Sequence, residues 1–201
     1  ELYLDDQALT VSDLTGALEQ LSVTGARVDL LPLADDGHGV RVQASVVGDS
    51  QDAKRILAQT PLADIGGEEV ASWQWQGPLT ADLDVLVPLG SEFAHAARQK
   101  VQVQFDRNQL HMPELDLTFA NVVGRLTYDS ATGLSSAGID ARFWGEPVHA
   151  TMRTEPAADG QTLIVSFQGQ ADIADVQAWS GRPELSFASG KSPVIGELRV
   201  P

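Results

Sequence analysis

The chain contains no cysteine. Disulfides, thiolate metal sites and cysteine nucleophiles are therefore excluded, while the compartment stays open, because periplasmic and secreted proteins can also lack cysteine. Long hydrophobic runs are missing as well. None exceeds three residues, as at Leu2–Leu4, Ile56–Ala58, Val85–Val87 and Leu163–Val165. Nothing approaches the roughly 20 apolar residues that a membrane-crossing helix requires. Basic residues are scarce, with 13 Lys and Arg against 28 Asp and Glu, for a net charge of −15. A surface of that sign is a poor partner for phosphate backbones and anionic headgroups, so no nucleic-acid partner is expected. The sequence also has no Gly-x-Ser-x-Gly elbow, phosphate loop or dinucleotide fingerprint.

What is present is a chain that folds. Of its 201 residues 43 % are hydrophobic and 20 % charged, which argues against wholesale disorder and supports a sizeable core. At roughly 150 residues per domain, the length favours one unit over two. The chain opens at Glu1 without Met and reads as a segment of something longer.

The dominant period is two, the period of half-buried strands. From Trp73 to Leu89 the odd positions read Trp, Trp, Gly, Leu, Ala, Leu, Val, Val, Leu, and the even positions are mostly polar. One apolar and one polar face is the pattern of an antiparallel strand with a single buried side. At about 3.3 Å per residue such a strand would span roughly 55 Å, so Gly77 and Pro78 are expected to bend or divide it. The alternation recurs at Val40–Val46, Val101–Phe105, Leu115–Phe119, Leu126–Tyr128, Ile139–Phe143, Val148–Met152 and Leu163–Phe167. Turn signals separate these runs at Asp35-Asp36-Gly37, Arg107-Asn108, Ser130–Gly133, Gly145-Glu146-Pro147 and Ala158-Asp159-Gly160. The expectation is a mainly β fold built as an antiparallel meander. Two short helices interrupt it: Ser50–Gln59, opened by a capping Ser and stopped before Pro61, and Asp172–Trp179, opened by a capping Asp and ended at Ser180-Gly181. Leu2-Tyr3-Leu4 and Glu197–Val200 read as strands at two open sheet edges.

Chemistry-bearing residues are sparse. His38, His95, His111 and His149 are scattered, none at metal-ligand spacing to another His or a carboxylate. Asp35-Asp36-Gly37-His38-Gly39 lacks the further ligands of a calcium loop and reads as a solvated turn. Asp82 and Asp84 share a strand face, as the paired carboxyls of a glycosidase would, yet on the polar side of an amphipathic strand they serve solubility. No catalytic residue, metal ligand or cofactor site is assigned, and no enzyme activity is expected. Trp73 and Trp75 on one face could be core, could line an apolar groove, or could form a sugar-binding platform. Phe143 and Trp144 would face opposite ways in a strand, and Trp179 would be a packing anchor.

The order of these pieces carries a resemblance. A strand at Val40–Gly48 leads to a helix ending Ile56-Leu57-Ala58-Gln59-Thr60-Pro61-Leu62, then to Leu83-Asp84-Val85-Leu86-Val87-Pro88-Leu89. Leu117–Asp129, Gly133-Leu134 and Ile139–Val148 follow. The series resembles the periplasmic part of the YhdP-like members of the AsmA-like family of Gram-negative envelope proteins, over residues 40–180. That resemblance implies a long protein anchored in the inner membrane, serving outer membrane biogenesis. Its periplasmic body would be a taco-like chain of strongly bent antiparallel sheets whose open apolar groove conducts phospholipid between the inner and outer membranes. The 201 residues would form a single β-groove segment in the periplasm, with a hinge near 91–100. Its partners would be phospholipid acyl chains and neighbouring β-groove segments of the same protein, with membrane contact only through parts outside this chain. The groove would be lined by Trp73, Trp75, Leu79, Leu83, Val85, Val87, Val103, Phe105, Leu117, Phe119, Ile139, Ala141, Phe143 and Val165. Period two fits equally well two other readings: a non-catalytic β-sandwich binding module, and a structural β-repeat scaffold of the cell envelope. A closed core and an open groove place the same demand on one face of a strand.

Overall fold

The structure, a computed structural model, describes residues 2–5, 8–33, 37–57, 72–89, 97–157, 160–181 and 188–200. Asp35, Asp36, His95, Gln59 and most of the expected hinge at 91–100 lie outside the described residues. In chain order the elements are β1 (Leu2–Asp5), β2 (Ala8–Leu18), β3 (Leu21–Pro32), β4 (His38–Asp49), α1 (Ser50–Leu57), β5 (Gln74–Gln76) and β6 (Pro78–Leu89). Then come β7 (Arg98–Met112), β8 (Leu117–Asp129), β9 (Gly133–Phe143), β10 (Glu146–Ala157), β11 (Gly160–Asp172), α2 (Ile173–Ser180) and β12 (Lys191–Val200). All pairings are antiparallel and almost every strand lies beside its sequence neighbour, in the order β1-β2-β3-β4-β6-β7-β8-β9-β10-β11-β12, with β5 paired to β7. Among the described residues the sheet is open: β1 pairs only with β2 and β12 only with β11. The mainly β meander with two short helices follows the sequence pattern, and the long apolar run divides at Gly77 into β5 and β6.

Connections are tight. The β9–β10 loop is the two residues Trp144-Gly145, both left-handed at φ 49° and 81°, the turn whose twist matches a hairpin. Trp144 therefore does not sit in a strand, contrary to expectation. Its ring stacks on Phe143 at 4.0 Å and meets Trp179 at 6.1 Å. The Asp129 side chain accepts from the Ala131 backbone N–H at 2.9 Å and so closes the β8–β9 turn. Arg107-Asn108, expected as a turn, is a bulge inside one continuous strand, because β7 pairs with β8 on both sides of it. The actual β7–β8 connection is a 3-10 turn at Pro113–Leu115, which leaves Leu115 exposed rather than in a strand.

One buried polar junction joins α1 to the sheet. The Ser50 N–H donates to the Gly77 carbonyl at 2.8 Å, and the Gly77 N–H donates to Asp49 Oδ2 at 3.2 Å. Asp49 Oδ1 also accepts from the Gln51 N–H at 2.8 Å, so Asp49 caps α1 where Ser50 was expected to. The Ser50 hydroxyl instead accepts from Asn108 Nδ2 at 3.3 Å. Asn108 is fully buried, and its Oδ1 accepts from the Asp106 N–H at 2.9 Å. A Cβ on Gly77 would stand 3.1 Å from the Asn108 Cα, so the strand break needs glycine for space as well as for its φ of +112°. At α2, Asp172 caps the N-terminus by accepting from Ala174 N–H at 2.9 Å, and left-handed Gly181 ends it.

Asn108→Ala should destabilise the fold by about 1–3 kcal/mol, since it leaves buried donors and acceptors unmatched. Urea unfolding of variant and parent checks this; a difference within a few tenths of a kcal/mol would mean that the junction is ornamental.

Candidate functional site

The cross-strand registers sort the side chains into two unlike faces. One row runs Gly48, Leu79, Phe105, Gly124, Ile139, Ala150, Phe167, Gly196, one residue from each of β4 and β6 to β12. No polar side chain interrupts it. Large and small residues are interspersed along it, and the glycines are filled by neighbours: a Cβ on Gly196 would collide with the Phe167 ring, and one on Gly48 with Leu21. Beside it runs Val23, Val46, Ala81, Val103, Leu126, and next Ala44, Leu83, Val101, Tyr128, Leu134. The opposite face carries Thr24, Ser45, Asp82, Gln102, Thr127, Ser135 as a polar row over six strands.

Of the residues expected to line one surface, the structure packs Trp73, Phe105 and Ile139 in a buried cluster, with Trp75, Val103, Phe119 and Ala141 against it. Trp75 stacks on Phe105 at 4.7 Å, and Phe119 on Phe143 at 4.8 Å. Leu79 anchors a second cluster that Leu83 and Val103 join. Val103 links the two. Val85, Val87, Leu117, Phe143 and Val165 belong to neither cluster. Val165 stands between Met152 and Leu198, and Leu117 opposite Met112. Leu21, Leu110 and Val122 are core residues that the period-two pattern missed.

Burial along this face is graded. On β6, Leu79 is 6 % and Ala81 8 % exposed, Leu83 and Val85 are half-buried, and Val87 and Leu89 reach 44 % and 48 %. On β3 the change runs from buried Leu21 to exposed Pro32, and on β4 from buried Val46 to half-buried Val40. Val101 and Leu163 are buried exceptions further along. The buried end is where the helices sit. Ala53 of α1 packs on the second cluster, and α2 reaches the β7–β8 turn through Trp179, whose Nε1 donates to the Leu115 carbonyl at 2.7 Å.

The polar face satisfies its own charges. Arg41 makes a two-pronged contact with Asp84, which also accepts from Gln43, and Ser45 donates to Asp82 at 2.7 Å. Hydrogen bonding from Arg41 holds the Asp84 carboxyl below the usual carboxylate range. Asp29, buried on the same face, is likewise held down, chiefly by the Arg27 guanidinium and secondarily by Thr10, against an opposing push from burial. These partners leave Asp82 and Asp84 in a structural role. His149 lies 2.8 Å from Asp140 directly across the β9–β10 pair, and His111 3.0 Å from Thr118. Among the described residues no cluster of three or more His, Asp or Glu could hold a metal ion, and no helix is long and apolar enough to cross a membrane.

The whole chain, residues 1–201, matches the family model described as YhdP protein. The chain belongs to the YhdP protein family. Over 128 residues it is 25 % identical to the intermembrane phospholipid transporter YhdP of Escherichia coli (strain K12), an alignment that covers 64 % of this chain and 10 % of that protein. It thus spans about a tenth of the length of this relative. No solved structure matches.

The signs of the Asp29 and Asp84 shifts set a pH dependence. Both folded-state values lie below the unfolded ones, so their contribution is complete above about pH 4 and is lost as pH falls through the folded values. Asp29→Asn should therefore flatten the loss of stability between neutral pH and the acid limb, read as urea midpoints across that range. A variant whose midpoints fall with acid as steeply as the parent's would remove Asp29 from the account.

Proposed function

We propose that this chain is a segment of a periplasmic bridge that conducts phospholipid between the inner and outer membranes of a Gram-negative envelope, acyl chains lying on its apolar face. It is not an enzyme. The observation that carries this reading is the apolar row uninterrupted from β4 to β12, with the polar row behind it from β3 to β9. Acyl chains gain about 0.8 kcal/mol for each CH₂ removed from water, so a path for them must stay apolar along its length. A surface meant for solvent has no use for eight such positions in register. The name of the E. coli relative supports phospholipid as the cargo.

In this reading the groove is lined by the half-buried part of the face around Leu83, Val85, Val103, Phe119, Ala141 and Val165, while Trp73, Phe105 and Ile139 are its packed floor. Neighbouring segments of the same protein continue the sheet at β1 and β12, each of which has a single partner strand among the described residues. The anchor in the inner membrane belongs to other parts of that protein, and 1–201 forms one groove segment.

Leu83→Asp puts a carboxylate on the half-buried part of the apolar face, between Ala44 and Val101, where an unpaired charge costs several kcal/mol. Placed in the full-length protein it should abolish phospholipid transfer, and a photocrosslinker at Leu83 or Phe119 should capture phospholipid. Asp82→Leu, on the adjacent outward position, should leave transfer intact. If Leu83→Asp unfolds at the parent temperature and transfers lipid fully, while neither crosslinker captures any, the face is a scaffold surface and the proposal is wrong.

A further inference from the structure

The two rims of the sheet differ in chemistry. Because all pairings are antiparallel, the end of β4, the start of β6, the end of β7, the start of β8, the β9–β10 turn and the end of β11 lie along one rim. Both helices leave the sheet there, α1 from β4 and α2 from β11. All four tryptophans are there too. Trp73 and Trp75 flank the start of β5, with Trp75 stacked on Phe105; Trp144 forms the β9–β10 turn; Trp179 sits in α2 and bonds to the β7–β8 turn. An unbroken aromatic column, Phe119–Phe143–Trp144–Trp179, runs from the core to α2. Along the opposite rim the apolar face thins out into exposed Val87 and Leu89, and half-buried polar side chains stand on it. Gln99 stands opposite Val85, and Tyr128 opposite Val101, both half-buried.

We infer that phospholipid lies across this face with one orientation, acyl termini toward the tryptophan rim and headgroups along the opposite rim, beside Gln99 and Tyr128. This rests on the conduit reading above and adds a headgroup site to it. A phosphate headgroup cannot be desolvated without large cost, and so it must sit where the face opens to water and offers hydrogen-bond donors. At the tryptophan rim Leu79, Phe105 and Trp73 are buried, and the polar side chains of Ser50 and Asn108 there are hydrogen-bonded to each other. At the other rim an amide and a phenol meet the exposed end of an aliphatic stripe. Acyl methyl ends, which need only apolar contact, fit the aromatic side.

The four tryptophans report on this directly. The chain is loaded with phosphatidylcholine from mixed micelles, and adducts are confirmed by native mass spectrometry. Tryptophan emission is then compared for lipid brominated at the acyl termini and lipid carrying a nitroxide on the choline headgroup. Terminal bromines should remove most of the emission, and the headgroup nitroxide should leave it near the level of unlabelled lipid. The same contrast should persist in Trp179→Phe, which deletes the most exposed reporter. Tyr128→Phe with Gln99→Leu should shorten lipid residence without changing the quenching order. Equal quenching by the two probes, or stronger quenching by the headgroup nitroxide, overturns the orientation and leaves the conduit standing. Absence of any phospholipid adduct overturns both.

Discussion

Everything in this molecule depends on keeping one face apolar across strands that are too long to do so by simple alternation. A period of two is unforgiving: one extra residue on a strand turns every later side chain to the wrong side. Five strands here contain such an extra residue, and each is accommodated as a bulge. The residues involved are Asp13 in β2, Gly25 in β3, Arg107 in β7 and Asn121 in β8, all left-handed, and the Ser136–Gly138 stretch of β9. In each case the apolar residues change parity at the same point. Leu14 succeeds Val11, Ala26 succeeds Val23, Leu110 continues Phe105, and Phe119 precedes Val122. The bulge and the parity switch in sequence cancel, so the face continues. Bulges also bend and twist a strand locally, so clustering them in β2–β3 and β7–β9 while β4, β6, β10, β11 and β12 stay regular puts the curvature in two places.

The junction at Asn108 shows how a bulge is held. Left-handed backbone at a residue such as Arg107 costs roughly 1–2 kcal/mol, and something must prevent the strand from relaxing. Asn108 does so by turning its amide inward, where it accepts from the Asp106 N–H two residues back in its own strand and donates to Ser50 at the start of α1. The helix is thereby fixed to the sheet at the height of the bulge, and Ala53 is carried onto the cluster of Leu21, Val46, Leu79 and Ala81. A single-layer sheet cannot bury its own apolar face. Here α1, α2 and the tryptophans supply a partial second layer along one rim and leave the rest to half-burial.

How much of this was legible in the sequence follows from the same bookkeeping. Where strands are regular the alternation could be read directly: β4, β6, β10 and β11 carry the assigned apolar residues on one side, with Ile164 of β11 buried on the other. Where a bulge intervenes the reading broke. Arg107-Asn108 looked like a turn because parity failed there, and β2 and β3 were hardly visible because Asp13 and Gly25 interrupt them. The face positions Leu79, Phe105, Phe119 and Ile139 were all visible, yet burial was not, because alternation is blind to what lies above the sheet. That Trp73 is packed depends on Phe105, Leu110, Val122 and Ile139, which come from strands far along the chain. Asp49 displaced Ser50 as the cap for a comparable reason: the Ser50 hydroxyl is occupied by an asparagine 58 residues away.

The acidic surface completes the arrangement. A sheet with one half-buried apolar side is an invitation to self-association, through the face and through its edges. Net charge of −15 opposes the close approach of two copies, but only within a Debye length of about 8 Å at physiological salt. The charge must therefore stand near the apolar surface without lying on it. The register achieves that spacing. Asp82 and Asp84 occupy the reverse side of the positions flanking Leu83, one residue away along the strand, and Arg41 and Ser45 hold them pointing outward. The carboxylates and the aliphatic groups alternate along the same twelve residues of β6, so that a shift by one residue would exchange the two faces.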